Sequence, residues 1–425
     1  MKILVFYPYV PYPLDRGTYQ RTFHLLRELS REHDVDLLAL VEKGEGMEHK
    51  AVFEQFCKRV DLVPFQHPDW PRLFPNRLCN SLPTSIAHWS VPGLSKEIES
   101  ILHERHYDLV HCCDIVLAQY FLKRNTTIPL SIDRSRVDLQ FQLAEHNRMN
   151  FSWKTKLLRY EGYAKMLLYE KAVARRASLE VVCGIDDEIF VRRWISRSAS
   201  VQVLVNGVDL DYFYPTSSTV PRAASPTVLF CGAMDYNPNI DALRWYFANV
   251  HDALRIKIPD LQVLIVGKNP VVEIQKYGEK TNVIVTGGVP DVRPFYRRAW
   301  MQIVPLRIGG GSRLKIVESL AMGTPVVSTT IGAQGLGLVH NDDILLGDTP
   351  EEFVNQTARA LQDESLRERI KVKGLETVCS RLSWKTLGHQ LSELYRNRFK
   401  PAGDKTKRPG VFSIASTPPP SVKQI

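Results

Sequence analysis

The chain has 425 residues, 44% hydrophobic and 24% charged, the balance of a globular protein too long for one core and long enough for two. Its formal net charge of +9 is unevenly placed: residues 151–176 hold seven Lys/Arg against two acids, residues 400–425 hold five against one, and the remainder is neutral. That distribution excludes a general nucleic-acid surface and leaves one basic helix and one basic tail to meet an anionic lipid or substrate.

The opening MKILVFYPYV reads as a strand, not a signal peptide. Short runs that are apolar on both faces follow at Lys2–Phe6, Val35–Leu40, Asp61–Phe65, Leu109–Cys113, Leu130–Asp133, Leu179–Cys183 and Val201–Val205. Helical periodicity separates them, so a parallel sheet covered on both sides is expected. Between the last two strands and the one before them, residues 153–176 place Trp153, Leu157, Tyr160, Ala164, Leu167 and Leu168 at helical spacing, with Lys154, Lys156, Arg159 and Lys165 off that stripe. The stripe is expected to pack on the sheet with the cations solvated; an anionic membrane or lipid-linked acceptor is the alternative partner. Asn206-Gly207-Val208-Asp209 and a Ser/Thr/Pro/Ala stretch then break the pattern, giving a first domain over 1–205 and a linker over 206–224.

Alternation restarts at Thr227–Cys231 and continues through Val263–Val266, Val283–Thr286, Met301–Pro305, Thr324–Ser328 and Asp343–Leu346. The expected fold class is α/β with two doubly wound domains facing a cleft, the second over 225–382. An amphipathic helix at 383–399 should return to the first domain, ahead of a disordered basic tail at 400–425. The seven cysteines lack metal-ligand spacing and fit a reducing cytoplasm, and no run reaches the length of a membrane span. Neither a metal nor a cofactor is expected.

The most informative stretch is Arg307 to Val327, RIGGGSRLKIVESLAMGTPVV. Gly309, Gly310 and Gly311 follow an apolar strand and lead into a helix expected to start at Ser312 and end at Gly323-Thr324-Pro325. Strand, glycine loop and helix N-terminus together form an anion site, because free N–H groups and the positive dipole end point above the loop and no Cβ blocks a phosphate. Lys315 and Glu318 fall on one side of that helix, with Leu314, Val317 and Ala321 toward the core. A cation beside the loop can neutralise a diphosphate, and a carboxylate one turn deeper can accept the two ribose hydroxyl protons. No Gly-Lys-Ser/Thr closes the loop as in a Walker motif, and the glycines are contiguous, not spaced as in a dinucleotide fingerprint.

In motif order over nearly the whole chain to about Phe399, the sequence resembles GT-B glycosyltransferases, specifically the retaining family 4 group that builds bacterial polysaccharides and glycolipids. PYPLDRGTYQRTFHLLRELS is similar to that group's first glycine loop and helix; VLFCGAMDYNPNIDALRWYF, LIVGKNP, VTGGVPDVRPFYRRA and VPLRIGGGSRLKIVESLAMGTPVVST are similar to successive motifs of its second domain. The resemblance implies that Glu318 binds the nucleotide ribose, that Arg313 and Lys315 hold the diphosphate, and that Gly287-Gly288-Val289 reads the base. It further implies that Gly309, Gly310, Gly311 and Ser312 line the donor, and that Gly17 closes on it with Arg21 a turn later; a plain turn and an exposed helix charge are the alternative for these two.

Three departures stand out. Gly310 occupies the position of the group's second glutamate, Ala233-Met234-Asp235-Tyr236 replaces its usual Arg and Lys, and the histidine often found near the end of Leu109–Cys113 has His111 as its candidate, with Cys113 at the next such position. The implied donor is a nucleotide-diphosphate sugar and the implied acceptor a glycan or lipid-linked glycan, with transfer in the cytoplasm. Retention needs no carboxylate nucleophile; inversion would need a base, for which Asp114, Asp133 and His111 lie at strand ends. A nucleotide-sugar epimerase and a non-catalytic binding subunit share the same fold expectations.

Overall fold

The structure, a computed structural model, describes residues 1–42, 45–67, 80–122, 124, 126–146, 152–215, 221–308 and 313–399. The basic tail, part of the linker (216–220) and the glycine loop 309–312 lie outside the described residues.

Two parallel sheets carry the fold. The first contains β1 (Lys2–Tyr7), β2 (Asp34–Glu42), β3 (Arg59–Phe65), β4 (Leu109–Cys113), β5 (Leu130–Arg134), β6 (Leu179–Val182) and β7 (Val201–Val203), in the order β3-β2-β1-β4-β5-β6-β7. The second contains β8 (Thr227–Cys231), β9 (Gln262–Val266), β10 (Val283–Gly287), β11 (Met301–Val304), β12 (Val326–Ser328) and β13 (Leu345–Leu346), in the order β10-β9-β8-β11-β12-β13. Helices cover both faces of the first sheet, and β1 shows why its residues must be apolar throughout. Leu4 and Phe6 enter one core with Leu38, Val110 and Ile132, whereas Ile3, Val5 and Tyr7 enter the other with Leu37 and Leu109. Side chains alternate across a strand, so a strand buried on both sides has no polar positions to offer.

In each sheet the strand order reverses beside the first strand, between β1 and β4 and between β8 and β11. Such switch points open a crevice at the carboxyl ends of the strands, where the loops leave in opposite directions and a ligand fits. Helix α1 (Gly17–Glu32) follows β1 and helix α3 (Leu314–Ala321) follows β11, so each starts at its sheet's switch point.

The last helix, α4 (Trp384–Arg398), follows the second sheet but packs on the first. Ser383 Oγ accepts from the Thr386 N–H at 3.1 Å, capping its N-terminus. Trp384, Leu387, Leu391 and Tyr395 join the core formed by Ile3, Val5 and α1. Gly388 permits this approach: a Cβ there would lie 2.2 Å from the Glu28 Cβ. The two chain crossings also pair with each other, Val208 N–H donating to Leu382 O at 3.0 Å and Trp384 N–H to Val208 O at 3.1 Å.

Two local expectations are corrected. Helix α3 begins at Leu314, not Ser312, and Leu314 is half-buried, packing against the cores of both domains. In helix α2 (Trp153–Arg176), Tyr163, Met166, Tyr169 and Val173 face the core, while Trp153, Leu157, Tyr160 and Leu168 face solvent. The helix is apolar on two sides, and the sheet takes the side with the deeper, C-terminal residues.

Candidate functional site

The site assembles where the two switch points meet. Gly17, the first residue of α1, stands against α3: a Cβ on it would come within 3.1 Å of Leu314 Cδ1. Lys268 Nζ and Asp15 Oδ2 bridge the domains nearby at 3.0 Å. The loop before α1 therefore adjoins the helix carrying Lys315 and Glu318, and a ligand over α3 would meet both domains.

Lys315 reaches back under the end of β8. Its Nζ donates to Asn239 Oδ1 at 2.7 Å and lies 4.4 Å from the centre of the Phe230 ring. Asn239 is buried and donates in turn to Ala233 O at 2.8 Å, so the amide is fixed before it receives the lysine. Gly232 keeps this space open, since a Cβ there would meet Asn239 Nδ2 at 2.7 Å and Lys315 Nζ at 2.9 Å, at a φ of +155°. Burial lowers the lysine to about 8, because desolvation disfavours the ammonium.

Glu318, one turn along α3, accepts a hydrogen bond from Tyr296 Oη at 3.1 Å. Burial raises its carboxyl to about 7, against the opposing effects of Tyr296 and Lys315. Arg313, just before α3, is buried, and that burial holds its guanidinium below its ordinary range. Two desolvated cations and a carboxylate thus sit within the first two turns of α3 and the residue before it. This arrangement suits a ligand carrying an anion at one end and hydroxyl donors at the other.

Gly287 has φ +70°, a conformation that favours glycine, and its carbonyl accepts from Gly267 N–H at 3.1 Å. That bond turns Gly288 into solvent and half-buries Val289 on the second core. Gly309, Gly310, Gly311 and Ser312 lie outside the described residues.

Arg21 has a different place from the donor contact expected of it. Its guanidinium is 2% exposed and grips Asp133 with Nε at 2.9 Å and Nη2 at 2.8 Å, while Nη1 donates to Leu204 O and Asn206 Oδ1. The arginine ties α1 to β5 and to the start of the interdomain chain, and Asp133 is fully engaged by it. His111 is likewise structural: its Nδ1 lies 2.6 Å from Tyr395 Oη, locking β4 to α4. Asp114 differs from both. It ends β4 at the first switch point with φ +124°, and its carboxylate accepts from the Val116 N–H at 3.0 Å. Burial, then Asp138, raises it to about 6. The half-exposed Tyr9 lies beside it, its ring 6.1 Å from Tyr19 and 5.0 Å from Trp89.

Sequence reasoning missed Asn239, Phe230 and Tyr296. The only local signal was a polar residue in the first turn of a helix that opens Asn-Pro-Asn, and that signal does not name a partner 76 positions away.

Residues 225–363 match the family described as Glycosyl transferases group 1. An uncharacterized 44.6 kDa protein in the cps region of Klebsiella pneumoniae is 24% identical over 357 residues, 81% of this chain and 87% of that protein. Sucrose-phosphate synthase from Thermosynechococcus elongatus superposes with a TM-score of 0.69 at 19% identity, covering 94% of this chain and 99% of that one. Anabaena HepE in complex with UDP-glucose gives 0.62 at 18% identity, covering 93% and 99%. The two-sheet architecture is the GT-B fold.

Proposed function

We propose that this chain, a glycosyltransferase of GT-B fold with a group 1 domain, moves a sugar from a nucleotide-diphosphate donor to a polysaccharide or lipid-linked glycan, with retention, in the cytoplasm. The observation that carries the donor reading is the pairing of Lys315 and Glu318 on one helix at the second switch point, each desolvated and each held by a neutral partner, Asn239 and Tyr296. In this reading Lys315 and Arg313 take the diphosphate, Glu318 takes the ribose hydroxyls, and Gly288 and Val289 flank the base. Gly309 to Ser312 are assigned to the phosphates from their sequence alone and Gly17 closes from the other domain, residues 1–205 serving the acceptor and 225–382 the donor. The presence of UDP-glucose in the Anabaena neighbour makes a uridine donor the first to test.

As the glycosidic bond breaks, charge grows on the leaving β-phosphate. Two fixed cations in a desolvated pocket stabilise that charge more than they stabilise the bound donor, which lowers the barrier. The departing phosphate can accept the acceptor's proton, so retention requires no enzyme nucleophile. Tyr9 and Asp114, at the first switch point, line the side from which the acceptor hydroxyl arrives. The cps-region relative supports a polysaccharide pathway, and the clustered charge of residues 151–176 supports weak contact with an anionic membrane.

Calorimetric titration of UDP, uridine and their 2′-deoxy forms tests the donor site. Lys315→Ala should weaken UDP by ~1.5–3 kcal/mol and spare uridine, while Glu318→Ala should weaken both and hardly affect 2′-deoxy forms. Unchanged binding in both variants would leave α3 a purely structural helix.

A further inference from the structure

The side of the first domain carries a groove of about 880 Å³, near the upper end of the ~300–1,000 Å³ of small-ligand sites, and it shares no residue with the donor site. One wall is the helix Leu94–Glu104, the other the chain from Gln119 to Ile128. Leu94, Ile98 and Ile101 turn inward to the core. Ser95, Glu99 and His103, four residues apart, therefore fall in one exposed line on the other side of that helix. At the α-helical rise they stand about 6 Å apart and cover about 12 Å. Across from them, Arg124 donates to Ser95 Oγ at 2.9 Å, lies 3.8 Å from Glu99, and is held by Tyr120 O, which accepts from its Nε at 2.7 Å. The one carboxylate and the one guanidinium of the groove thus offset each other. Between the walls, Val91, Leu102 and Ile128 present half-buried apolar surface.

The direction of the groove follows from the topology. The helix Leu94–Glu104 leads into the start of β4, and the short helix Ile115–Tyr120 leaves its carboxyl end. Ser90 and Gln119, joined by a 2.9 Å hydrogen bond from Ser90 Oγ, therefore lie at the cleft end, and His103 and Ile128 at the far end. Ser90 follows Trp89, whose ring stands 5.0 Å from that of Tyr9, so the groove opens beside the acceptor side of the cleft.

Composition decides the occupant. A phosphate-rich chain would need a surplus of cations, and an acyl chain a wall free of polar groups. Closely spaced donors and acceptors over an apolar floor, without net charge, match a chain of neutral sugar rings, which offers hydroxyls at its edges and C–H faces between them. We propose that this groove holds the non-terminal sugars of a neutral glycan acceptor, with the end that receives the new sugar at Tyr9 and Asp114. The proposal rests on the polysaccharide-acceptor reading and narrows it: the enzyme extends a chain and reads several units of it.

Calorimetric titration of the full chain with malto-, cello- and laminari-oligosaccharides, from glucose to the hexasaccharide, tests the groove, with UDP titration beside it. In at least one series affinity should rise with length and level off once the groove is filled. Arg124→Met should weaken the longer members about tenfold by removing charge-assisted hydrogen bonds. Ser90→Trp should block the cleft end and abolish the gain with length, and His103→Ala should weaken only the longest members. UDP affinity should be unchanged in all three variants. No binding in any series, affinity independent of length, or a Ser90→Trp variant that binds as the wild type does would overturn the proposal. Binding of oligosaccharides without binding of UDP would leave the groove standing and remove the donor reading; binding of UDP with none of the oligosaccharides would do the reverse.

Discussion

Lys315 Nζ donates a 2.7 Å hydrogen bond to Asn239 Oδ1, so a cation at the start of one helix is positioned by the first turn of another. The amide compensates part of the lysine's desolvation and fixes its direction. Asn239→Leu should therefore cost about 1.5 kcal/mol of UDP affinity, roughly tenfold, with uridine binding unchanged. Calorimetry on both ligands decides it; an equal loss for uridine would point to general damage of the fold.

The pH dependence of UDP binding follows from the two displaced groups. Glu318, raised to about 7, must be ionised to accept ribose hydroxyls, so affinity should fall as pH drops below that value. Lys315, lowered to about 8, must be protonated to meet the diphosphate, so affinity should fall again as pH rises above it. Binding is expected to peak between these values, with Glu318→Gln losing the acid limb and Lys315→Met the alkaline one. A flat profile from pH 6 to 9 in the wild type would contradict both assignments.

Arg21 and Asp133 form a buried bidentate pair. Removing one partner leaves the other charged and out of water, so Arg21→Met or Asp133→Asn should cost ~3–5 kcal/mol of stability. Denaturant unfolding measures this, and UDP affinity measured where the variants remain folded should be unchanged. A variant with normal stability and weakened UDP binding would restore Arg21 to the donor site.

His111 links pH to the docking of α4. Burial first, with Arg21 adding to it and Asp133 opposing, lowers its folded value to about 4, below the ~6.5 of an unfolded chain. The folded protein thus prefers the neutral ring: this stability is present above ~6.5 and is lost as pH falls toward 4, at about 1.4 kcal/mol per unit. Urea midpoints between pH 7 and 5 should fall by an amount equivalent to ~2 kcal/mol from this residue, and His111→Gln should flatten that part of the slope. Parallel slopes in wild type and variant would exclude it.

The strands were legible because each is a short run that must be apolar on both faces, and no amphipathic helix produces that pattern; β4 and β8 have their expected bounds. The α/β class and the division into two sheets follow from such runs recurring with helices between them; the strand order within each sheet does not. Lys315 and Glu318 were legible as neighbours because three residues along a helix bring side chains to one side, a purely local geometry. What the sequence left open was every choice between equivalent faces and every long-range partner. Helix α2 carries two apolar stripes, Trp153-Leu157-Tyr160-Leu168 and Tyr163-Met166-Tyr169-Val173, and periodicity is blind to which one the sheet takes. Arg21 reads as a donor contact or, alternatively, an exposed helix charge until Asp133, 112 positions later, arrives beside it. Local spacing determined the elements and the pairing on α3; only the tertiary structure, by bringing distant side chains into low-dielectric contact, decided which charges are buried, which are matched, and which apolar face is left to the solvent.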